Sequence, residues 1–161
     1  MNNMYKPEGR LIATSENREY MVSVSSLERA NASGKILEGI ASFCRDGENG
    51  KELFFELGPM RGIMPQSETE YSKTGETAKD IAVITRVGKA VAFKIIGFDE
   101  INGEKVAVLS RKEAQRECME NYLITLMSGD IIDATVTHME PFGAFVDIGC
   151  GIVSLMSIDC I

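Results

Sequence analysis

Residues 141–149 read PFGAFVDIG, and a related stretch, LFFELG, occurs earlier in the same chain at residues 53–58. Aligning the two places Phe54 on Phe145 at an offset of 91 residues, whereas the preceding Gly34 and Gly129 align at an offset of 95 residues. The extra residues of the first copy fall in a turn around residues 46–50. Turns of repeated modules change length while strands keep their register. The sequence therefore predicts one module present twice, with the second copy ending early.

Composition limits the class of protein. The 161 residues are 44% hydrophobic and 25% charged, which is typical of an ordinary globular protein. No apolar run approaches the roughly 18 residues of a membrane span, and the N-terminus lacks the hydrophobic stretch of a signal peptide. The four cysteines are not spaced as a zinc site or a disulfide framework. We therefore expect a cytoplasmic protein without membrane contact.

The net charge of −7 is unevenly distributed along the chain. Residues 1–112 carry equal numbers of basic and acidic side chains, whereas residues 113–161 carry one basic side chain and eight acidic ones. Duplex DNA is gripped mainly through its phosphates, which requires a basic surface. The charge pattern therefore excludes duplex DNA as a partner, and any nucleic-acid contact has to depend on stacking.

Local signals predict the elements of the first copy. A capping box at Ser25 and Glu28 predicts a helical segment over residues 15–33, which Gly34 ends. The AsnGly pair at residues 102–103 predicts a hairpin turn, and the polar residues 65–79 are interpreted as a loop. Strand-like patterns occupy residues 35–45, 51–57, 61–64, 90–98 and 105–109.

A second capping box, SRKE at residues 110–113, predicts another helix. Its apolar stripe at four-residue spacing comprises Ala114, Cys118, Tyr122 and Leu126. The helix is expected to end at residues 128–129. It is interpreted as a connecting helix, with a partner-binding helix as the alternative.

Five short strands with this turn spacing predict a mainly β protein built on a five-stranded oligonucleotide-binding (OB) barrel. The predicted units are an N-terminal helical arm (1–33), a first domain (34–112), a connecting helix (113–128) and an incomplete second domain with three strands (129–161). Three strands cannot close a barrel, so the second unit exposes apolar side chains and an unpaired edge. We expect it to pair with a neighbouring chain, to lean on the first barrel, or to be poorly ordered.

Strand alternation predicts which aromatic side chains face solvent. Phe145 shares a face with Asp147, and Phe54 shares one with Glu56, whereas Phe55 belongs to the core. An exposed ring suits single-stranded nucleic acid, because any base can stack on it. The alternative is that a loop or the N-terminal helix covers each ring.

The motifs PFGAFVDIG at 141–149, LMSID at 155–159, GIMPQSE at 62–68 and LSRKEA at 109–114 resemble the S-one RNA-binding domain family. The resemblance implies tandem OB barrels in a cytoplasmic protein of translation or RNA metabolism. The chain departs from the family pattern at the histidine that ends the third strand: Pro65 occupies this position in the first copy and Ser157 in the second. The first copy also has Lys51 and Glu52 where the second has Phe142 and Gly143, which favours a docking role for the first copy.

No catalytic residue, metal ligand or cofactor site is predicted. His138 is the only histidine, and no phosphate loop, nucleophile elbow or dinucleotide fingerprint occurs. The candidate RNA-binding residues are Phe142, Gly143, Phe145, His138, Phe54, Arg61, Arg111 and Lys112.

Two hypotheses follow for the function. The first is a non-catalytic, ribosome-associated protein that contacts single-stranded RNA, such as mRNA, through the outer faces of its barrels. The second is a protein-interaction module that docks to the small ribosomal subunit or another protein and binds little RNA. Self-association through the incomplete second copy is a possible further interaction, as one of the three outcomes named above.

Overall fold

The computed structural model describes residues 5–160, which form a five-stranded barrel, a separate three-stranded sheet and several helices. The chain is mainly β, as predicted, and the barrel is consistent with an OB fold. The ends of the predicted arm and of the predicted second unit, residues 1–4 and residue 161, lie outside the described residues. Within residues 5–160, no helix has the length and apolar character needed to cross a membrane.

Five strands close the barrel in the order β1-β2-β3-β5-β4. Only the β3–β5 pair is parallel, and β1 closes the barrel by pairing with β4. Alternate side chains point inward and form a core that includes Leu37, Phe55, Met64, Phe93 and Leu109. Burial of these apolar surfaces supplies most of the stabilisation. The strands are β1 (Ile36–Gly47), β2 (Gly50–Glu56), β3 (Arg61–Pro65), β4 (Ala90–Ile101) and β5 (Glu104–Ser110).

The turn between β4 and β5 confirms the AsnGly prediction. Asn102 and Gly103 have φ angles of 50° and 79°. Positive φ at both central residues is the requirement of the hairpin turn that suits the twist of two antiparallel strands.

The predicted N-terminal helix is two helices, α1 (Ser15–Tyr20) and α2 (Val24–Ser33). The cap of α2 is Ser23, not Ser25: Ser23 accepts a hydrogen bond from the backbone of Ser26, whose hydroxyl in turn accepts from Ser23. The extended backbone of Ser23 breaks the helix there. Gly34 ends α2 in the left-handed conformation, as expected.

The segment that follows β3 contains structure that the sequence pattern missed. It begins with a short 3-10 helix (Gln66–Glu68) and includes α3 (Asp80–Ile84). The buried Gln66 amide organises the segment, because it accepts from the backbone of Lys51 and donates to Ala78 and Asp80. Apart from the 3-10 helix, residues 66–79 form a loop, as predicted, and α3 begins directly after them.

The connecting helix α4 (Arg111–Asn121) is shorter than predicted. Ser110 caps it as expected, and Ala114 and Cys118 are buried on the predicted stripe. The helix ends before Tyr122, whose backbone leaves the helical region and whose ring stacks on Tyr5 at 5.9 Å. A 3-10 turn (Leu123–Thr125) follows.

The second sheet repeats the pairing register of the first three barrel strands. Its strands are β6 (Thr135–Glu140), β7 (Gly143–Asp147) and β8 (Val153–Ser157), in the order β6-β7-β8, followed by a 3-10 turn (Ile158–Cys160). In β1 and β2, Phe43 pairs with Phe54, and a register shift precedes Phe43. In β6 and β7, His138 pairs with Phe145, and a register shift again precedes His138. The two ladders show the same 95- and 91-residue offsets as the sequence.

Residues 131–134, which align with the start of β1, are not a strand. The first residues of β1, Ile36–Ile40, are held by β4. The equivalent residues of the second sheet have no such partner within residues 5–160, so they lack the hydrogen bonds that define a strand.

An N-terminal strap, residues 5–14, lies between the barrel and the second sheet. The Glu8 carboxylate accepts from Arg111 at 2.8 and 2.9 Å and from the β4 backbone at Ala92. The Glu8 backbone donates to Asp147 of β7 at 2.9 Å, and the Lys6 carbonyl accepts from Cys150. The second sheet thus leans on the first barrel through the strap, which is one of the three outcomes expected for it.

Glu38 anchors the other end of the strap. One of its carboxylate oxygens accepts from the backbone of Gly9, Leu11 and Ile12 at 3.0–3.2 Å. The other oxygen is buried without a hydrogen-bond partner among the described residues. Burial raises the pKa of Glu38 to about 7, and the nearby Glu8 carboxylate acts in the same direction.

We predict that Glu8→Gln destabilises the chain by about 3–5 kcal/mol, because it leaves the buried Arg111 guanidinium without its counter-charge. Urea unfolding followed by circular dichroism measures the loss. Glu16→Gln, which removes an exposed partner of Lys35, is the control and costs at most about 1 kcal/mol. Equal effects of the two variants would contradict the role given to Glu8.

Glu38 is predicted to make stability fall as pH rises. Its pKa is about 7 in the folded chain against 4.5 for an ordinary glutamate. The folded state therefore binds more protons between these two values, so the free energy of unfolding decreases from pH 4.5 to about 7 and then levels off. Urea midpoints across this range should be flatter for Glu38→Gln. The exposed control Glu28→Gln should keep the pH dependence of the wild type. An equally steep pH dependence in Glu38→Gln would show that Glu38 is not the titrating group.

Candidate nucleic-acid interface

Three rings lie together on the second sheet. Phe142 precedes β7 and is 53% exposed, and its ring meets Phe145 edge-on with centroids 6.1 Å apart. His138, opposite Phe145 on β6, stacks on it with centroids 6.2 Å apart and planes 26° from parallel. The cluster is therefore an open aromatic surface of the kind on which unpaired bases stack.

Gly143 holds the strand pair beneath these rings close together. It pairs with Ser157 of β8, and a Cβ at this position would collide with the carbonyl oxygen of Met156. Its φ of 155° adds strain for any other residue. Gly143 therefore acts by letting β7 and β8 approach, whereas Phe142, Phe145 and His138 present the surface.

The position of Asp147 corrects the reasoning that predicted an exposed Phe145. Asp147 is only 4% exposed, and it accepts from the backbone of Glu8, Gly149 and Gly151 at 2.9–3.1 Å. Burial raises its pKa. Asp147 therefore did not identify the solvent-facing side of β7, because the strap covers this end of the strand. Phe145 is half-buried, not fully exposed.

His138 is exposed and its Nε2 lies 2.5 Å from a carboxylate oxygen of Glu140, two residues along the same strand. This contact orients the imidazole ring beside Phe145. Within residues 5–160, no group of three or more His, Cys, Asp or Glu side chains is arranged to hold a metal ion.

On the first barrel, the structure corrects the prediction for Phe54. Phe54 is 4% exposed and packs with Ile63 and Val106 on the outside of the barrel. Phe43 stacks on it with centroids 4.7 Å apart and planes 2° from parallel, and the Arg45 guanidinium lies 4.5 Å from its centroid. The exposed ring at this position is Phe43, which the sequence argument missed.

A β-bulge explains why Phe43 was missed. Simple alternation places Phe43 on the same side as Ala41, which is a core residue. The register shift between Ala41 and Phe43 inserts Ser42 and turns Phe43 outward, opposite Phe54. Alternation along a single strand carries no signal for such a shift. Cross-strand alignment with the second copy, where His138 faces Phe145, is the signal that could have found it.

The predicted basic contacts have counter-charges in the structure. Arg111 is 4% exposed and bound to Glu8, so the expectation of a surface cation was wrong: the strap buries it. Arg61 remains exposed and pairs with Glu56 at 3.1 Å. Lys112 is half-buried and lies 3.6 Å from Glu68. Electrostatic attraction for phosphate is therefore modest, and the aromatic rings are the main candidate contacts.

The predicted residues form separate groups. Phe142, Gly143, Phe145 and His138 come together on the second sheet. Phe54 and Arg61 belong to the neighbouring strands β2 and β3 of the barrel, and Arg111 and Lys112 begin α4.

The chain is similar to small ribosomal subunit protein bS1. The bS1 of Mycobacterium leprae is 30% identical over 146 residues, which is 88% of this chain but 28% of that protein. The bS1 of Leuconostoc lactis is 28% identical over 78% of this chain and 27% of the relative. The bS1 of Streptococcus pneumoniae is 27% identical over 94% of this chain and 36% of that protein.

The chain therefore spans about a third or less of the bS1 proteins that it matches. No protein-family model matches the chain. The resemblance noted in the sequence is confirmed at the level of these ribosomal relatives.

We predict that Gly143→Ala disrupts the second sheet, because its added methyl group meets the β8 backbone and not a flexible side chain. The expected cost is about 1–3 kcal/mol, typical of a strained backbone position. Hydrogen exchange of the β7 and β8 amides measures the loss. Gly129→Ala is the comparison, since it also has a positive φ but open space around its Cβ. Equal loss of β7 and β8 protection in both variants would show that contact with β8 is not the cause.

Proposed function

We propose that this chain binds single-stranded RNA without catalysis, as part of a ribosome-associated protein of translation in the cytoplasm. The observation that carries the proposal is the cluster of Phe142, Phe145 and His138 on the second sheet. Similarity to bS1 proteins, which are named as components of the small ribosomal subunit, supports the association with ribosomes. For a ribosome-associated protein of translation, we take messenger RNA as the single-stranded ligand.

We further propose that the chain consists of an N-terminal arm, a first OB domain (34–112), a connecting segment (113–128) and the first three strands of a second domain (129–161). The shared ladder register and the shared position of the β-bulge support this division. Within residues 5–160, the outer edges of β6 and β8 have no partner strand, and Leu155 and Met156 are exposed on β8. Self-association therefore stays a prediction.

The mode of binding follows from the charges. Arg61 and Lys112 face carboxylates, Arg111 is buried, and residues 129–161 contain no lysine or arginine. Few counterions are therefore released on binding, so affinity depends weakly on salt. Each stacked base contributes about 1–3 kcal/mol, so a cluster of rings supplies most of the binding free energy.

The low positive charge of this region also favours a second function, docking to a protein of the small ribosomal subunit. In that case the first barrel and α4 meet a protein, and RNA contact through the rings of the second sheet is incidental. Removing the rings distinguishes the two functions. Binding to the small subunit is lost if it depends on RNA stacking and is kept if it depends on protein docking.

We predict that Phe145→Ala and Phe142→Ala each weaken binding of a single-stranded RNA of about 12 nucleotides by about five-fold or more, since each removes a stacking surface. Fluorescence anisotropy with labelled RNA measures the affinity. Ile81→Ala, an exposed apolar residue of α3, is the matched control and leaves binding unchanged.

Absence of RNA binding by the wild-type chain, or equal binding by the ring variants, would contradict the proposal. If the Phe142→Ala, Phe145→Ala double variant then still binds intact small ribosomal subunits in a sedimentation assay, the docking function is favoured.

A further inference from the structure

Phe43 projects from the first barrel as a flat, exposed ring. It is 40% exposed, whereas Ala41 of the same strand lies in the core and Cys44 packs against it. One face of its ring is covered by Phe54, which lies parallel to it at 4.7 Å. The exposed portion therefore comprises the opposite face and the edge of the ring.

The support beneath Phe43 fixes its orientation. Phe54 is itself buried against Ile63 and Val106 on the outer wall of the barrel. The guanidinium of Arg45, two residues along β1 from Phe43, also lies over the Phe54 ring, and Glu52 holds it at 3.1 Å. A ring held in this way loses little conformational freedom when a ligand stacks on it.

The position of Phe43 in the sheet matches that of a ring in the proposed RNA surface. Phe43, Phe54 and Ile63 pair across β1, β2 and β3, as His138, Phe145 and Leu155 pair across β6, β7 and β8. The second and third strands of each set belong to the face through which OB folds bind oligonucleotides, and Phe43 and His138 lie beside that face on the first strand. The two copies therefore present a flat ring at the same point of the same wall.

We propose that Phe43 is a second stacking platform, which takes an unpaired nucleobase of single-stranded RNA, with the Glu52-paired guanidinium of Arg45 beside it at the base edge. The proposal rests on the proposed function and extends it to the first barrel. The exposed face of Phe43 can stack on a further planar group such as a base. An apolar protein side chain would bind more favourably in a concave pocket than on a flat ring.

The absence of tryptophan from the sequence makes the test direct. Phe43→Trp, Phe145→Trp and Ile40→Trp each introduce a single tryptophan, which can be excited selectively over the four tyrosines. The three positions are the proposed platform, the second-sheet cluster, and an exposed β1 residue that is not part of the Phe43–Phe54 stack. Each variant is titrated with an oligoadenylate of about 12 nucleotides, within the site sizes of OB folds. Stacking of a base quenches the indole, so we expect quenching at positions 43 and 145 but not at 40.

The outcomes separate the two proposals. Quenching at 145 without quenching at 43 overturns the Phe43 platform and leaves the proposed function intact. Quenching at 43 without quenching at 145 supports the platform and removes the second sheet from the function. Equal quenching at 40 and 43, or quenching of position 43 by ribosomal protein but not by RNA, overturns the platform. Quenching at no position overturns both.

A second variant guards against altered packing by the larger indole. Phe43→Leu keeps an apolar side chain over Phe54 and removes the flat ring. We expect it to weaken oligoadenylate binding by about five-fold or more while the thermal unfolding midpoint stays near that of the wild type. Unchanged affinity in Phe43→Leu would overturn the platform.

Discussion

The ion pair between Glu8 and Arg111 is the interaction on which the rest of the structure depends. Both side chains are almost completely buried, and each is a charge that would be very costly to bury alone. Glu8 belongs to the strap, Arg111 begins α4, and the same carboxylate also accepts from β4. Because the Glu8 backbone simultaneously binds Asp147, the pair connects the barrel, the helix and the second sheet.

This connection has a consequence for function. It removes Arg111 and Asp147 from the surface, and the remaining candidate cations Arg61 and Lys112 face carboxylates. The candidate nucleic-acid contacts that remain on the outer walls are therefore the aromatic side chains. In the second sheet these are Phe142, Phe145 and His138, and in the first barrel the exposed ring is Phe43, supported by the buried Phe54.

The strands could be predicted from sequence because their signals are local. Alternating apolar residues and the AsnGly turn specify the β4–β5 hairpin, and the repeated motif specifies the second sheet. The other features depend on long-range contacts, which local sequence does not reveal. Asp147 was interpreted as solvent-facing, but the strap covers it. Residues 131–134 align with the start of β1 but are not a strand, because β4 supplies the pairing that keeps their counterparts in the first copy extended.

The candidate site was predictable to a similar extent. Phe142, Gly143, Phe145 and His138 do come together, because one motif and its neighbouring strand carry them. Phe43 was not predictable from alternation, since one bulge residue reverses the direction of every later side chain. Arg111 was not predictable as buried, because its partner Glu8 is 103 residues away in sequence.

The central claim is that RNA meets the outer walls of β1–β2 and β6–β7. Amide chemical-shift mapping of the isotope-labelled chain, titrated with single-stranded RNA, tests it most directly. The account predicts that the largest shifts fall around residues 138–145 and around Phe43 and Phe54, while the amides of α2 and α3 stay in place. Largest shifts on the helices, or none anywhere at saturating RNA, would contradict it.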